Sequence, residues 1–409
     1  MISQLFVAVY LALFAAATPL TVRKSPVTIS LSRHFNTTGS KTILEFDQAR
    51  AKFLKQSAAQ KGSVSASSDA NVSVPVTNGM VSYTAAVDVG SPPTTFNLIV
   101  DTGSSNTWVG ADPNKPYTPT STSQDTGEHV LVLYGSGLFF GEEFIDQVSL
   151  SESLTIQQQS IGGSELTEGF SGVDGILGIG PTDLTENTTM DGGTVPTVLD
   201  NAFSLGLLDS KEIGISFEPT TTVSSTNGEL TFGGIDSSKF TGDLLFVPIT
   251  STSPANEFVG IDQSVAYGST TILSETAGIV DTGTALLLLA SDAIATYQNL
   301  TGAVPDENTG LLTLTATQFA SLESLFFNIG NTTFEFTPNA QLWPRSLNTA
   351  IGGNADSIYL IVGDIGSESG EGFDFINGQT WLERFYFVFD AGNSRAGFAT
   401  TEFTDATTN

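Results

Sequence analysis

The chain has 409 residues and is strongly acidic, with 43 Asp and Glu against 14 Lys and Arg and a formal net charge of −29. Such a charge repels phosphate backbones and argues against a nucleic-acid partner. The absence of cysteine excludes thiol nucleophiles, thiolate zinc sites and disulfides. The 41 glycines and the short apolar runs between turn residues predict a mainly β protein.

The first twenty residues, MISQLFVAVYLALFAAATPL, are typical of a signal peptide. An apolar run from Leu5 to Ala16 precedes small residues, and we expect cleavage after Ala17. The run is shorter than the roughly 20 apolar residues that span a bilayer. We therefore predict that residues 1–17 are removed and that the protein is secreted without a membrane anchor, with a vacuolar location as the alternative.

A basic segment follows. Residues 18–62 carry eight Lys and Arg but two Asp and Glu, whereas residues 63–409 carry six bases and 41 acids. The stretch 42–60 has helical character, and a Ser-rich stretch begins at residue 62. We predict that residues 18–69 form a removable pro-segment whose end lies between about 62 and 72. A disordered basic tail is the alternative.

Two similar stretches place an aspartate directly after an aliphatic strand. FNLIVDTGSSNTWVG (96–110) contains Asp101, and TAGIVDTGTALLLL (277–290) contains Asp281. Each aspartate is followed by an apolar stretch closed by glycine, at 175–180 and 375–390. The repeat predicts two similar lobes, 70–242 and 243–409, with one aspartate from each at a cleft between them. A third Asp-Thr-Gly, at Asp125, lacks the preceding strand and predicts a surface turn.

The remaining residue types favour carboxylate chemistry. Beyond residue 62 the sequence has one histidine, His129, which we expect to be structural or exposed. A Ser-His-Asp triad or an HExxH zinc site is therefore improbable, and we expect no metal and no cofactor. Two carboxyl groups in contact share a proton, so that one can act as a base on water while the other acts as an acid.

These motifs resemble those of the pepsin-like aspartic endopeptidases. The resemblance covers about 70–409 and is closest to the cysteine-free secreted fungal enzymes of the polyporopepsin type. The segments that carry it are Asp101–Trp108, Tyr134–Gly137, Gly175–Gly178, TFGGIDSSKFTGDLLFVPI (231–249) and Asp281–Thr284.

The resemblance implies a bilobal, mainly β fold and a role for each matching residue. Asp101 and Asp281 would hold the attacking water. Tyr134, Gly135 and Ser136 would form the tip of a hairpin flap over the cleft, with Trp108 bonded to the tyrosine. The other implied site residues support the aspartates or approach the substrate: Thr102, Gly103, Ser104, Thr282, Gly283 and Thr284.

The sequence departs from the family pattern at two places. Ala285 stands where many members have serine, which removes one supporting hydroxyl. Ile376-Asn377-Gly378-Gln379 stands in place of the usual aliphatic pair, glycine and aspartate. A buried Asn377 would need hydrogen-bond partners. These differences concern the tuning of the site, since both aspartates and Tyr134 are present.

The expected partners are protein and peptide substrates and pepstatin-type inhibitors, and we expect a monomer. A glycosidase also uses two carboxylates, but only three tryptophans are available to line a sugar cleft. A catalytically silent binding or inhibitor protein is the other alternative. Four Asn-X-Ser/Thr sequons fit a secreted glycoprotein, at Asn71, Asn187, Asn299 and Asn331.

The charge distribution also predicts how the precursor is held inactive. The basic pro-segment faces an acidic body, and the family resemblance implies that one of its lysines pairs with both aspartates. The candidates are Lys52, Lys55 and Lys61. Protonation of the carboxylates would weaken this contact, so we expect the precursor to be inert near neutral pH and to convert itself below about pH 5.

Overall fold

The structure is a computed structural model, and it describes residues 24–35, 42–60, 81–135 and 137–408. The predicted signal peptide (1–17), the predicted processing stretch (62–72), Lys61, Asn71 and Ser136 lie outside the described residues.

The described residues are mainly β, as the composition predicts. The strands before the middle of the chain are β1 Val27–Phe35, β2 Val81–Val89, β3 Thr94–Asp101, β4 Thr107–Val109, β5 Gln124–Tyr134, β6 Gly137–Ser151, β7 Leu154–Glu168, β8 Gly175–Gly178, β9 Glu212–Phe217, β10 Ser224–Phe232 and β11 Thr241–Pro248. The later strands are β12 Gly260–Tyr267, β13 Thr270–Val280, β14 Leu287–Leu289, β15 Val304–Pro305, β16 Leu312–Leu314, β17 Leu325–Ile329, β18 Thr332–Phe336, β19 Ile358–Tyr359, β20 Val362–Asp364, β21 Phe375–Asn377, β22 Phe385–Asp390 and β23 Arg395–Thr400. The α-helices are α1 Ile43–Gln60, α2 Val198–Ser204, α3 Ser291–Thr301, α4 Ala316–Phe319 and α5 Gln379–Leu382.

In the described part of the chain, the strands form a thirteen-stranded, a seven-stranded and a three-stranded sheet. The largest has the order β11-β23-β22-β9-β10-β1-β2-β3-β8-β4-β7-β6-β5, and the second has the order β18-β17-β12-β13-β21-β14-β20. Strands β22 and β23 come from the predicted C-terminal lobe but pair beside β9. The two predicted lobes therefore share one sheet.

The two predicted catalytic loops have the same local topology. Strand β3 ends at Asp101 and pairs in parallel with β8, which also pairs with β4. Strand β13 ends just before Asp281 and pairs in parallel with β21, which also pairs with β14. A glycine that has no space for a side chain ends β8 and directly follows β21. A Cβ on Gly178 would lie 2.5 Å from the Ser105 backbone, and one on Gly378 would lie 2.2 Å from the Leu286 carbonyl oxygen.

The burial of a strand explains whether its sequence is continuously apolar or alternates. Strand β22, FYFVFD, is buried along its whole length, which is the pattern of a strand covered on both faces of its sheet. Strand β6, by contrast, alternates between buried and half-buried positions, which is the pattern of a sheet with one face on the core.

The predicted pro-segment is ordered over two described parts. Strand β1 lies in the middle of the largest sheet, antiparallel to both β10 and β2. Helix α1 coincides with the stretch for which helical character was predicted, and it buries Ile43, Ala51, Leu54 and Ala58. The alternative of a disordered basic tail is therefore wrong for residues 27–35 and 43–60.

Two surface predictions have different outcomes. His129 is half-buried in β5 and stacks on Phe140, with ring centroids 5.5 Å apart, as expected for a structural residue. Asp125 is exposed, but the prediction of a turn is wrong, because Asp125 belongs to β5. It lies beside an irregularity in the pairing with β6, where its carboxylate accepts the Gly127 N–H.

Among the residues described, none of the helices combines the length and the apolar character needed to cross a membrane.

Candidate active site

Asp101 and Asp281 lie close enough together for one Arg50 nitrogen to contact both, and their hydrogen bonds match. Both side chains are buried. One Asp101 oxygen accepts the Gly103 N–H at 3.0 Å, and the other accepts the Ser104 hydroxyl at 2.6 Å. Asp281 accepts the Gly283 N–H and the Thr284 hydroxyl at the same two distances. The spacing Asp-X-Gly-Ser/Thr thus supplies one backbone and one side-chain donor to each carboxylate.

The two loops are joined directly behind the aspartates. The Thr102 N–H donates to the Thr282 hydroxyl oxygen, and the Thr282 N–H donates to the Thr102 hydroxyl oxygen, both at 3.0 Å. Each hydroxyl then donates across the junction, Thr102 to the Val280 carbonyl at 3.2 Å and Thr282 to the Val100 carbonyl at 2.9 Å. These four bonds join the two loops and hold the two aspartates in register.

Arg50 of helix α1 bridges the two carboxylates. Its Nη2 lies 2.6 Å from Asp101 Oδ1 and 2.9 Å from Asp281 Oδ1, and its Nε lies 2.7 Å from Asp281 Oδ2. The prediction that a lysine occupies this position is therefore wrong. A planar guanidinium with several donors can reach two carboxylates at once, which a single ammonium does less well.

The candidate lysines that the structure describes point elsewhere. Lys52 is exposed on α1, and the Lys55 ammonium contacts the carboxylate of Glu371. The sequence did contain a signal for Arg50. It lies on the apolar face of α1, one residue before Ala51 and four before Leu54, where an unpaired base would be costly to bury.

The electrostatics of the two aspartates differ. For Asp101, burial and the nearby Asp281 charge raise the pKa above its ordinary value, although Arg50 acts in the opposite direction. For Asp281, burial also raises the pKa, but the charge and hydrogen bonds of Arg50, with those of Thr284 and Gly283, outweigh it and lower the pKa. Asp101 is thus the group of the pair that holds a proton more readily in this state.

Asp47 anchors the same helix on the C-terminal side of the cleft, and sequence reasoning missed it. Its carboxylate is fully buried and accepts the N–H groups of Ala285 at 3.3 Å and Leu286 at 2.8 Å. Burial raises the pKa of Asp47 to about 7, partly offset by those two bonds and by Arg50. Asp47 and Arg50 lie three residues apart and therefore on one face of the helix, so this contact positions the guanidinium.

The predicted flap lies over this arrangement. Tyr134 is buried at the end of β5, and the Trp108 Nε1–H donates to its hydroxyl oxygen at 2.8 Å, as the resemblance implies. At Gly135 a Cβ would lie 2.4 Å from the Arg50 Cα. The flap backbone therefore packs against the helix backbone at a point where only glycine fits.

The glycines beside the aspartates also have no room for a side chain. A Cβ on Gly103 would lie 2.5 Å from the Arg50 Nη2, and one on Gly283 would lie 2.3 Å from the same atom. The two glycines thus leave space for a group to reach both carboxylates from the cleft.

The departures from the family pattern are accommodated by amide hydrogen bonds. Asn377 and Gln263 are both buried and exchange two bonds, with the Asn377 Nδ2 donating at 2.9 Å and the Gln263 Nε2 donating at 3.2 Å. Gln379 donates to the Thr282 carbonyl at 2.8 Å. At Ala285 it is the backbone N–H that takes part in a contact, with Asp47.

The remaining predicted positions are at the surface. The sequon residues Asn187, Asn299 and Asn331 are exposed. Within the described ranges, no group of three or more His, Asp or Glu side chains is arranged to hold a metal ion.

Comparison with known proteins agrees with this geometry. Residues 82–401 match the family model described as eukaryotic aspartyl protease. The chain belongs to this family. It is 62% identical over 340 residues to polyporopepsin of Irpex lacteus, covering 82% of this chain and 99% of that protein, and 31% identical over 361 residues to cathepsin E of Aquarana catesbeiana, covering 84% and 86%.

The crystal structure of the aspartic proteinase from Irpex lacteus matches with a TM-score of 0.78 and 62% identity, covering 80% of this chain and 96% of that one. The bilobal pepsin-like fold and the activity class of an aspartic endopeptidase, both expected from the resemblance, are thereby confirmed.

Proposed function

We propose that this aspartic endopeptidase is made as a secreted zymogen and that, after activation, Asp101 and Asp281 hydrolyse peptide bonds in acidic surroundings. The observation that carries the proposal is the convergence of the two carboxylates, with matched donors, beneath Arg50 of the basic segment. The two carboxylates that peptide hydrolysis would need are thus the groups that the basic segment covers.

The reaction needs one proton shared by the pair. The ionised carboxylate removes a proton from a water molecule held between Asp101 and Asp281, and the water oxygen attacks the peptide carbonyl carbon. The protonated carboxyl group gives its proton to the carbonyl oxygen. Collapse of the resulting diol breaks the C–N bond, and the amine leaves with a proton from the pair. Gly103 and Gly283 allow the substrate backbone to approach, while Ser104 and Thr284 hold the carboxyl groups in place.

The flap supplies closure. Tyr134 is fixed by Trp108 at the end of an apolar hairpin, and Gly135 and Ser136 at the tip would lie over the substrate backbone. Such a lid excludes water other than the reacting molecule and orients the scissile bond.

The proposed inhibition of the zymogen rests on the charge of Arg50 and on the occupation of the cleft by helix α1. Arg50 favours ionisation of both aspartates, which is the wrong protonation state for this mechanism, and α1 fills the place that a substrate would need. As pH falls, the aspartates gain protons and lose their attraction for Arg50, which stays charged. Release and self-cleavage in the Ser-rich stretch 62–72 should follow below about pH 5.

The remaining parts of the proposal come from sequence. The N-terminal apolar run supports secretion, the exposed sequons support glycosylation, and the family supports pepstatin-type inhibition. We propose a monomer, because the two lobes bring together a complete site within one chain.

The decisive experiment is digestion of denatured casein at pH 3–5 with and without pepstatin, using wild type and Asp101→Asn. Cleavage by wild type that pepstatin blocks, and none by the variant, is the expected result. Cleavage by the variant would remove Asp101 from the mechanism.

Incubation of both precursors across pH 3–7, followed by sequencing of the new N-termini, tests activation. Conversion of Asp101→Asn without added protease would show that activation is not autocatalytic, and full wild-type activity at pH 7 with the segment attached would exclude inhibition.

A further inference from the structure

Helix α1 makes a second charged contact beyond Arg50, at Lys55. The Lys55 ammonium contacts the carboxylate of Glu371 and lies 3.2 Å from the Ser367 hydroxyl. Both acceptors belong to the loop between β20 and β21, on the C-terminal side of the cleft. Glu371 is more than half exposed even with the helix in place, so removal of the helix would leave this carboxylate without its cation.

A groove between helix α1 and the loop after β20 lies beside this contact. Helix residues Ala51 and Lys55 line one wall, and Ile365, Ser367 and Phe373 line the other. Ile365 and Phe373 are buried under the helix. A long side chain with an apolar stem and a charged end matches such a groove, because the stem covers the apolar wall residues while the end stays at the acidic rim.

The loop that presents Glu371 is held in place from below. The buried Asp374 carboxylate accepts the N–H groups of Gly370 at 2.6 Å and Glu371 at 3.1 Å, and the Thr276 hydroxyl donates to it at 2.5 Å. The loop backbone that carries Glu371 is therefore held by Asp374, independently of Lys55.

We propose that, once α1 has left the cleft, Ser367 and Glu371 form a subsite that binds a lysine or arginine side chain of the peptide substrate. The proposal rests on the proposed function, since it assigns a substrate preference to the same cleft. Lys55 then occupies in the precursor the place of a basic substrate residue.

The helix also indicates how far this subsite lies from the scissile bond. Lys55 follows Arg50 by five residues, which corresponds to about 7.5 Å along a helix that rises 1.5 Å per residue. An extended peptide advances about 3.3 Å per residue. Because five residues also turn the helix by about 140°, Arg50 and Lys55 are separated around the helix as well as along it. The basic side chain should therefore be two to four residues from the cleaved bond.

The test uses the activated enzyme at pH 5 and peptides that share one cleavage site. Lysine is placed at one position at a time within four residues of the bond, and each peptide is compared with its norleucine counterpart, which has a similar stem but no charge. For wild type we expect kcat/KM to be about two- to fivefold higher with lysine at one position two to four residues from the bond, since exposed ion pairs are worth up to about 1 kcal/mol.

Glu371→Gln should abolish that preference, so that the lysine peptide and its norleucine counterpart are cleaved with equal kcat/KM. Glu368→Gln is the matched control, because Glu368 is an exposed acid of the same loop, three residues away, and it should keep the preference.

Two results would overturn the subsite: no lysine preference at any position in wild type, or the same preference in Glu371→Gln. Neither touches the proposed function as long as the norleucine peptides are cleaved and Asp101→Asn is inactive. Failure to cleave any of the peptides or denatured casein would count against the proposed function and remove the subsite with it.

Discussion

The loop around Asp101 and the loop around Asp281 have the same hydrogen bonds but different surroundings. At both aspartates one oxygen meets a glycine N–H at 3.0 Å and the other meets a hydroxyl at 2.6 Å. Behind them the side chains differ. Position Val100 pairs with Leu177, whereas the matching Val280 pairs with Asn377.

The neighbouring strand shows the same difference, with an aliphatic side chain on the Asp101 side and an amide side chain on the Asp281 side. Five residues before Asp101, Phe96 pairs with Val87, and five residues before Asp281, Thr276 pairs with Gln263. Val87 and Leu177 are buried, and so are Gln263 and Asn377, which satisfy each other. The comparison teaches that the backbone and its donors define the pair of aspartates, while the layer behind can be apolar or polar if its groups are paired.

The pro-segment adds a second asymmetry. Arg50 makes one hydrogen bond to Asp101 but two to Asp281. The lower pKa of Asp281 and the raised pKa of Asp101 follow from that difference combined with burial. The opposite pKa shifts of the two aspartates thus depend, besides burial, on a residue from outside both loops.

The largest effect should come from removing either aspartate. Asp101→Asn and Asp281→Asn should each lower kcat by roughly 10⁴-fold, because neither loop can supply both the acid and the base. Kinetics on one peptide, with circular dichroism to confirm folding, measures this. Asp125→Asn is the control and should retain activity. If either aspartate variant were as active as wild type, the two loops would not be equivalent partners in catalysis.

Removal of Arg50, which bridges the two aspartates, should relieve the inhibition of the precursor. Arg50→Gln leaves two buried carboxylates without their cation, a loss of about 3–5 kcal/mol for such a pair. We expect this precursor to cleave a peptide or lose its pro-segment at pH 6–7, where wild type is inert. Lys52→Gln changes the same charge on an exposed position of the helix and should behave as wild type. An inert Arg50→Gln precursor would show that steric cover alone is sufficient.

The predicted flap lies in the N-terminal lobe, so its loss should show what this lobe contributes beyond Asp101. Tyr134→Ala removes the group fixed by Trp108, and we expect kcat/KM to fall by about 10²-fold because closure and substrate position are lost. Leu133→Ala, at the exposed neighbouring position, is the control. Unchanged kinetics in the Tyr134 variant would mean that this hairpin does not cover the site.

Glu143 makes the stability of the N-terminal part dependent on pH. Burial raises its pKa from an ordinary 4.5 to about 7. The folded state thus binds this proton more tightly than the unfolded state, so the contribution to stability is complete below about pH 4.5 and is lost as pH rises to 7. Glu143→Gln should raise the free energy of unfolding at pH 7 by about 2–3 kcal/mol and flatten its pH dependence. Urea unfolding at pH 4 and 7 checks this, with Glu142→Gln as the control. An unchanged difference between the two pH values in Glu143→Gln would assign the pH dependence to other groups.

The smallest effect concerns the layer behind Asp281. Asn377→Leu should lower the free energy of unfolding by about 1–3 kcal/mol, because the buried Gln263 amide loses its partner. The double variant Gln263→Val/Asn377→Leu copies the N-terminal pair and should recover part of the loss, as measured by urea unfolding. A double variant less stable than Asn377→Leu would show that the two layers are not interchangeable.

The sequence alone was sufficient for the features that depend on local pattern. An aliphatic strand that ends on Asp-Thr-Gly occurs once in each half, and both strands and both loops are found where that repeat predicts them. The helix at 43–60 also follows from its own residues. The buried Asn377 was expected to need a partner, but the partner, Gln263, lies 114 residues away and no local pattern points to it.

Tertiary structure decided which charged groups meet. Lys52, Lys55 and Arg50 are all bases of one helix, and only docking on the cleft shows that Arg50 faces the aspartates while Lys55 reaches Glu371. The insertion of β1 between β10 and β2 and the shared sheet of the two lobes likewise depend on contacts between distant segments. The physical reason is the range of the forces: periodicity and turn chemistry act over a few residues, whereas ion pairs and sheet register form between groups that become neighbours only when the chain is folded.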